Sequence, residues 1–338
     1  MRQARWDRWL DTVVVLSYTS IGYRIRERLL WKAGGLDLSM EGKICAVTGA
    51  NAGLGRAVCE ALAQRGAKVV MLCRNLERGE RARDAVRRKT GNPQVVLEQV
   101  DVSQMASIRA CAARLEGSLP RLDVLINNAS VMVHERQTTD EGLELTFATN
   151  TLGTFMMTRA LLPMLRISAP SRVITVSSGG MYLVRLRMDD IQYLRRPYDG
   201  VRAYAESKRA QIMLMEWMAK RERGDIRFDA VHPGWATTPG VRSSLPIFHR
   251  FMQPWLRTPE QGADSLIWLA ISPDVDDVER GAFWFDRRPR PTDHFAWTRA
   301  TAEERQALWK MCCDIADEPV ELSPTQAQTP GSHEGSGR

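Results

Sequence analysis

The stretch Lys43-Ile44-Cys45-Ala46-Val47-Thr48-Gly49-Ala50-Asn51-Ala52-Gly53-Leu54-Gly55 decides the fold. An apolar run, Ile44–Val47, meets a turn carrying three glycines, and helix-forming residues follow through Arg65. That order reads as a strand, a tight turn and a helix start. The glycines serve separate needs there. One lets the chain turn sharply, and one removes a Cβ so that backbone N–H groups can approach a pyrophosphate. A third lets the helix pack close to the sheet, with its N-terminal dipole facing the phosphate charge. A glycine triplet alone marks only a turn. Here a second strand, Lys68–Cys73 (KVVMLC), follows one helix later, and that context makes Thr48, Gly49, Asn51, Gly53, Leu54 and Gly55 candidate dinucleotide contacts.

The alternation continues along the chain. Helix Asn75–Lys89 precedes strand Gln94–Gln99, and helix Ser103–Glu116, with Ser103 as its expected N-cap, precedes strand Leu122–Asn127. Helical Leu143–Leu165 leads to strand Arg172–Ser177, and helix Ala203–Arg221 to strand Ile226–Val231. Helix Pro259–Ile271 leads to a seventh strand, Ala282–Phe285, and Ala302–Ile315 reads as a closing helix. Near-continuous apolar strands alternating with helices predict an α/β fold: one doubly wound, Rossmann-type domain with a parallel seven-stranded sheet covered on both faces. The expected division is an N-terminal segment over 1–37, the nucleotide-binding domain over 38–320 and a Ser/Gly/Pro-rich tail over 321–338, expected to be disordered.

Composition fits that reading. The chain has 338 residues, 44% of them apolar, enough for a sizeable core. The net charge of +7 comes mostly from arginine, but the arginines alternate with acids, as in Glu77–Lys89 (ERGERARDAVRRK). That is a solvated helix face rather than a nucleic-acid surface, so no nucleic-acid partner is expected. Six cysteines show no CxxC or Cys/His spacing, so no metal site is expected, and a reducing, cytoplasmic setting suits them. The N-terminal forty residues admit two readings. Arginines and tryptophans in Met1–Leu10 precede apolar Val13–Ile21, with Arg24, Arg26 and Arg28 beyond. The apolar run is too short to span a bilayer and lacks a secretory cleavage pattern. It either packs onto the domain, the favoured reading, or lies at a membrane interface as a peripheral contact through residues 1–35.

The residue after the second strand bears on the cofactor. A protein reading a ribose 2′-hydroxyl places Asp or Glu there, and one reading a 2′-phosphate supplies a cation. Here Cys73 is followed by Arg74 and Asn75, so NADP(H) is expected over NAD(H). The chemistry lies in Tyr204-Ala205-Glu206-Ser207-Lys208. Residues four apart share a helix face. A free tyrosine, with a pKa of ~10, is a poor base at neutral pH. A neighbouring ammonium favours the phenolate, which suits proton exchange beside hydride transfer to or from a nicotinamide.

Together, TGANAGLG, NNAS (Asn127–Ser130), ATNTLG (Ala148–Gly153), VSSGG (Val176–Gly180), YAESK and HPG (His232–Gly234) resemble the short-chain dehydrogenase/reductase superfamily, over roughly Leu38 to Phe285. The retinol-dehydrogenase-like members are similar more loosely. The resemblance implies an NAD(P)-dependent oxidoreductase acting on a CH–OH/C=O pair. In it Tyr204 is the catalytic acid/base and Lys208 holds the nicotinamide ribose, Ser178 polarises the substrate oxygen, and Asn150 supports a proton relay. It also implies cofactor contacts at Asp101 and Val102 (adenine), Asn128, Pro233 and Thr238. Ser177 competes with Ser178, and strand alternation allows at most one of them at the site.

Two features depart from that pattern. Ser130 stands where the motif has glycine, which a φ > 0 backbone would disfavour. The insert Met181–Val201 is also longer than in compact bacterial reductases and is expected beside the substrate pocket. His232 reads as a structural turn residue, and His134 and Glu135 as solvent-facing. Gln211–Met218 reads as core or subunit interface, whereas Pro246–Leu256 lies where the superfamily carries its substrate lid. An apolar lid suggests a lipophilic carbonyl or alcohol substrate. The rival class is a catalytically silent NADP(H)-binding or membrane-surface scaffold. The oligomer is open, with monomer and homo-oligomer both compatible.

Overall fold

The computed structural model describes residues 14–31, 35–222 and 224–322. Strands β1 (Ile44–Thr48), β2 (Lys68–Cys73), β3 (Val95–Gln99), β4 (Val124–Asn127), β5 (Ser171–Val176), β6 (Ile226–His232), β7 (Phe283–Phe285) and β8 (Arg288–Arg290) form one sheet. Its order is β3-β2-β1-β4-β5-β6-β7-β8, and β1 to β7 run parallel. Parallel neighbours need long crossovers, and helices supply most of them. Gly53–Gln64, Leu76–Thr90 and Pro259–Ile271 bury their apolar sides on one face, around Val47, Val58, Leu62, Leu266 and Trp284. Met105–Ser118, Gly153–Ile167, Gly200–Arg221 and Ala302–Ala316 cover the other, around Leu125, Phe147, Phe155, Met213 and Trp309. The strand order reverses between β1 and β4, and in such sheets the crevice at those carboxyl ends is where ligands bind.

The seven expected strands are all present, and an eighth joins them antiparallel to β7. Its sequence, Arg288-Pro289-Arg290, carries no strand signal. It forms because Asp286 and Arg287 both adopt positive φ, 51° and 59°, in the turn after β7. Such a hairpin turn favours Gly or Asn. Here tertiary contacts hold it: Asp286 is anchored by two arginines, and Arg287 by Asp264 through two bonds of 2.7 Å.

Other differences are local. Ser103 does not cap its helix, because its hydroxyl donates to Asp101 at 2.6 Å; the helix starts at Met105, whose N–H is met by Glu141. The expected helix Leu143–Leu165 is split, with a π-helical turn over Phe147–Leu152 before Gly153–Ile167. The π turn brings the backbone so close to the loop after β3 that a Cβ on Gly153 would stand 2.1 Å from the Val102 carbonyl oxygen. Gln211–Met218 is core. The C-terminal helix lies over it, with Trp309 stacked on Trp217 and edge-on to Phe155.

The helices Val14–Tyr18 and Ser20–Leu29 pack onto the sheet; residues 1–13 of the N-terminal segment lie outside the described part. Tyr18 sets its ring edge-on to His232, Trp235 and Phe285. Arg26, 0% exposed, and Arg257, 1% exposed, both pair with Asp286, 2% exposed, at 2.6–2.8 Å. Both guanidiniums also donate to the Ser17 carbonyl oxygen. Burial pushes the Asp286 carboxyl up, but the charges of Arg257 and Arg26 more than offset it and hold it below the ordinary carboxylate value. Removing one partner of a buried cluster strands the others. Asp286→Ala is therefore expected to cost about 3–5 kcal/mol in urea unfolding at neutral pH. A carboxylate with a depressed folded pKa stabilises above its unfolded value, so the difference between variant and wild type should shrink as pH falls below ~4.

Candidate active site

The site grows from the ends of β1 and β4. Thr48 Oγ1 accepts from the backbone N–H groups of Asn128 and Ala129, both at 2.9 Å, and Asn128 Nδ2 donates back to the Thr48 carbonyl oxygen at 2.8 Å. These two side chains therefore hold the crevice in shape and leave its backbone to face a ligand. Gly49 adopts φ +65°, and a Cβ on Gly55 would stand 2.4 Å from the Gly49 carbonyl oxygen, so the helix can enter the turn only without that atom. Leu54 points away, against Gly262. Thr238 lies across the turn, 3.2 Å from a Cβ position on Gly53, and caps its own short helix, Pro239–Ser244. The residues read as a phosphate cradle are thus brought together; Pro233 sits half-buried at the start of the same loop.

Asn51 lines a cavity of about 340 Å³ with Arg56, Arg78, Arg81 and Pro239. Arg74, with 69% of its side chain exposed, stands at the end of β2, 3.8 Å from Asp101. Arg78 makes no ion pair among the described residues, whereas Arg56 and Arg81 pair with Glu60 and Glu77 on their own helices. Inspection of the sequence singled out Arg74 and missed Arg78. The signal was present: Asn75 caps this helix by accepting from the Arg78 N–H, which fixes Arg78 one turn in from the strand end. Asp101 spends its carboxylate on Ser103, and Val102 packs against Gly153.

Helix Gly200–Arg221, capped by Asp199, carries Tyr204 and Lys208. Lys208 is buried, donates to the Val176 carbonyl oxygen at 2.9 Å and lies 5.4 Å from the centre of the Tyr204 ring. With no carboxylate beside it, burial pushes its pKa down to about 7. Burial likewise raises the Tyr204 phenol, opposed by hydrogen bonds from Ser130 and Ser178. The choice between the two serines is thereby made: Ser177 turns to the Lys208 carbonyl oxygen at 3.1 Å, and Ser178 faces the phenol. Ser130 is the residue that sequence reasoning treated only as a departure. Its φ is not positive, so serine is unstrained there, and its hydroxyl joins the site.

Asn150 is fully buried in the π turn. It bridges the Val131 N–H and carbonyl at 2.8 and 2.9 Å and donates to Ser207 at 3.0 Å, while its own carbonyl oxygen accepts from Gln211 at 2.6 Å. It ties the loop after β4 to the tyrosine helix. His232 is buried beside Tyr18, and burial with the nearby Arg257 charge lowers its pKa to about 3; its Nδ1 accepts from the Gly179 N–H. His134 and Glu135 lie in the loop after β4, away from any ion pair among the described residues.

The insert is ordered by the motif helix itself. Glu206, inside YAESK, is 2% exposed and receives Arg196 at 2.5 and 2.9 Å, Arg202 at 3.0 Å and Tyr193 at 3.2 Å. Asp190 in turn caps the backbone of Leu194 and Arg196. Over the site, the segment Pro239–Met252 reaches across, with Ser244 donating to the Met132 carbonyl oxygen and Phe248 edge-on to Trp235.

The short chain dehydrogenase family profile matches residues 43–246. Dehydrogenase/reductase SDR family member 12 of Bos taurus is 40% identical over 300 residues, 88% of this chain and 94% of that protein. Human retinol dehydrogenase 11 is 35% identical over 293 residues, 84% of this chain and 89% of that one. Among solved structures, a chain from Mycobacterium paratuberculosis superposes with TM-score 0.69 at 28% identity, over 86% of this chain and 99% of its own. A Shigella flexneri short chain dehydrogenase solved with NADP gives TM-score 0.60 at 25% identity, over 75% and 100%.

Because Glu206 joins Arg196 and Tyr193 of the insert to the tyrosine helix, Glu206→Gln should loosen the insert locally. Hydrogen exchange across residues 188–199 is expected to accelerate at least about tenfold, with protection in β1 to β6 unchanged. Equal protection in wild type and variant would show that the insert is held by other contacts.

Proposed function

The chain belongs to the short-chain dehydrogenase family, NAD(P)-dependent oxidoreductases acting on CH–OH/C=O pairs, and from that premise we propose that it uses NADP(H) on a small lipophilic carbonyl or alcohol. The observation that supports the reading best is the joint placement of Tyr204, Ser178, Ser130 and buried Lys208 at the mouth of the glycine crevice. The cradle suits a dinucleotide, since a Cβ on Gly55 would close it and the exposed Arg74 and Arg78 flank its far end. Thr48, Gly49, Asn51, Gly53, Gly55, the Leu54 backbone, Asp101, Val102, Asn128, Pro233 and Thr238 would line that cofactor, Lys208 would hold its ribose, and Arg74 with Arg78 would take the 2′-phosphate. When bound, the nicotinamide supplies or accepts the hydride.

The chain's own residues handle the proton. The Tyr204 hydroxyl gives its proton to the carbonyl oxygen in reduction, or takes it from the alcohol in oxidation. Ser178 donates to the same substrate oxygen and stabilises the charge that develops on it. The Lys208 ammonium favours the phenolate. Asn150 acts through others: it fixes the Val131 loop and Ser207 beside the helix that carries the pair. The aromatic and aliphatic lid, with Phe248 edge-on to Trp235, suits a lipophilic substrate.

Three measurements test this. Tyr204→Phe, assayed with NADPH and a panel of lipophilic aldehydes, should lose ~10²–10⁴-fold in kcat/KM while still binding NADPH; full activity would remove Tyr204 from the reaction. Ser130→Gly deletes a hydrogen bond that lowers the phenol pKa, so its folded pKa rises. The acid limb of alcohol oxidation and the alkaline limb of carbonyl reduction should both move to higher pH. Unmoved limbs would mean that Ser130 is only a turn residue. Arg74→Ala/Arg78→Ala should weaken NADPH binding ~10-fold or more with NADH binding unchanged. Equal loss for both cofactors would refute the 2′-phosphate assignment.

A further inference from the structure

Ile247, Phe251 and Trp255 recur every fourth residue along helix Pro246–Met252 and the turn after it, so they share one side. They are 74%, 71% and 46% exposed. Between them Phe248 turns inward onto Trp235, and His249 is buried. The inner side of the segment is therefore filled, and the outer side is apolar as well. A surface helix of a globular protein puts polar residues outward. A contiguous stripe of large exposed apolar side chains marks an interaction surface. Val14 and Val15, also exposed, belong to the neighbouring element: Tyr18 contacts Trp235, which contacts Phe248.

Charge identifies what this surface meets. From Ala230 to Pro259 the chain has no Asp or Glu, and Arg242 and Arg250 are exposed beside the stripe. Aromatic and branched side chains rimmed by guanidiniums fit the boundary between acyl chains and phosphate headgroups. We propose that the outer side of this segment, Ile247, Phe251 and Trp255 with Arg242 and Arg250, docks on an anionic phospholipid bilayer. The lid of the site then lies against the membrane, where an apolar substrate is concentrated. The sequence offered such contact through residues 1–35 as its second reading, beside packing onto the domain. Within that stretch, however, Ser17, Tyr23 and Arg26 are buried against the fold.

The test is flotation of the full-length protein with vesicles of phosphatidylcholine alone and of equal parts phosphatidylcholine and phosphatidylserine. Wild type should float with the anionic vesicles, less so as salt rises. Ile247→Ser/Phe251→Ser/Trp255→Ser should lower that partition about tenfold or more, with melting temperature unchanged. Arg242→Glu/Arg250→Glu should lower it on the anionic vesicles and flatten the salt dependence, and it carries the test if the triple variant does not fold. Wild type that fails to float overturns the proposal. So does flotation that survives both substitutions yet disappears when residues 1–13 are deleted. Sedimentation equilibrium supplies the remaining outcome: self-association abolished by the triple substitution, without vesicle binding, would make the stripe a contact between copies and overturn the lipid assignment.

Discussion

The crevice exists because β1 and β4 are fastened to each other at their carboxyl ends. Thr48 accepts two backbone N–H groups from the chain leaving β4, and Asn128 returns a donor to the backbone leaving β1. Strand pairing alone would leave these three backbone groups unsatisfied at the point where the sheet order reverses and the helices part. Satisfying them reciprocally fixes the distance between the glycine turn and the loop that carries Ser130 and Val131. That loop is fastened again by Asn150, and Asn150 by Gln211, so the tyrosine helix inherits its position from the same clamp.

Function is built into this frame at a cost in stability. Lys208 is buried with one carbonyl partner and no carboxylate, and its pKa falls to about 7. A group whose folded pKa is lowered binds fewer protons folded than unfolded, so folding is helped as pH rises from about 7 toward the unfolded value. Fully buried lysines are rare unless they are paired. This one lies 5.4 Å from the Tyr204 ring, where it suits the role proposed for the pair.

The edge beyond β6 shows a second way to stabilise an unfavourable backbone. Two non-glycine residues hold positive φ there, and local propensity would not place them so. Asp286 and Arg287 are kept in place by Arg26, Arg257 and Asp264, and Tyr23 adds a long contact of 3.4 Å to Asp264. The N-terminal helices are thus part of the domain's edge, with Tyr18 against the wall of the site at Gly179 and His232.

The sequence by itself determined the parallel sheet, the glycine crevice and the Tyr204–Lys208 pair, because each rests on local order: apolar runs, turn glycines and a four-residue helical spacing. It also pointed to Ser178, with Ser177 as the competitor that strand alternation would turn to the other face. Other features were decided by residues far apart in the chain. Strand β8 depends on a turn held from positions 26, 257 and 264, and no strand signal marks it. Ser130 became a partner of Tyr204, and Glu206 an anchor for the insert, only when separate loops met one helix. The N-terminal segment carried both a packing and an interfacial pattern, since apolar residues beside arginines suit either. Burial of Arg26 against Asp286 made its second helix part of the fold, because a charge enters an interior only where its counter-charge already waits.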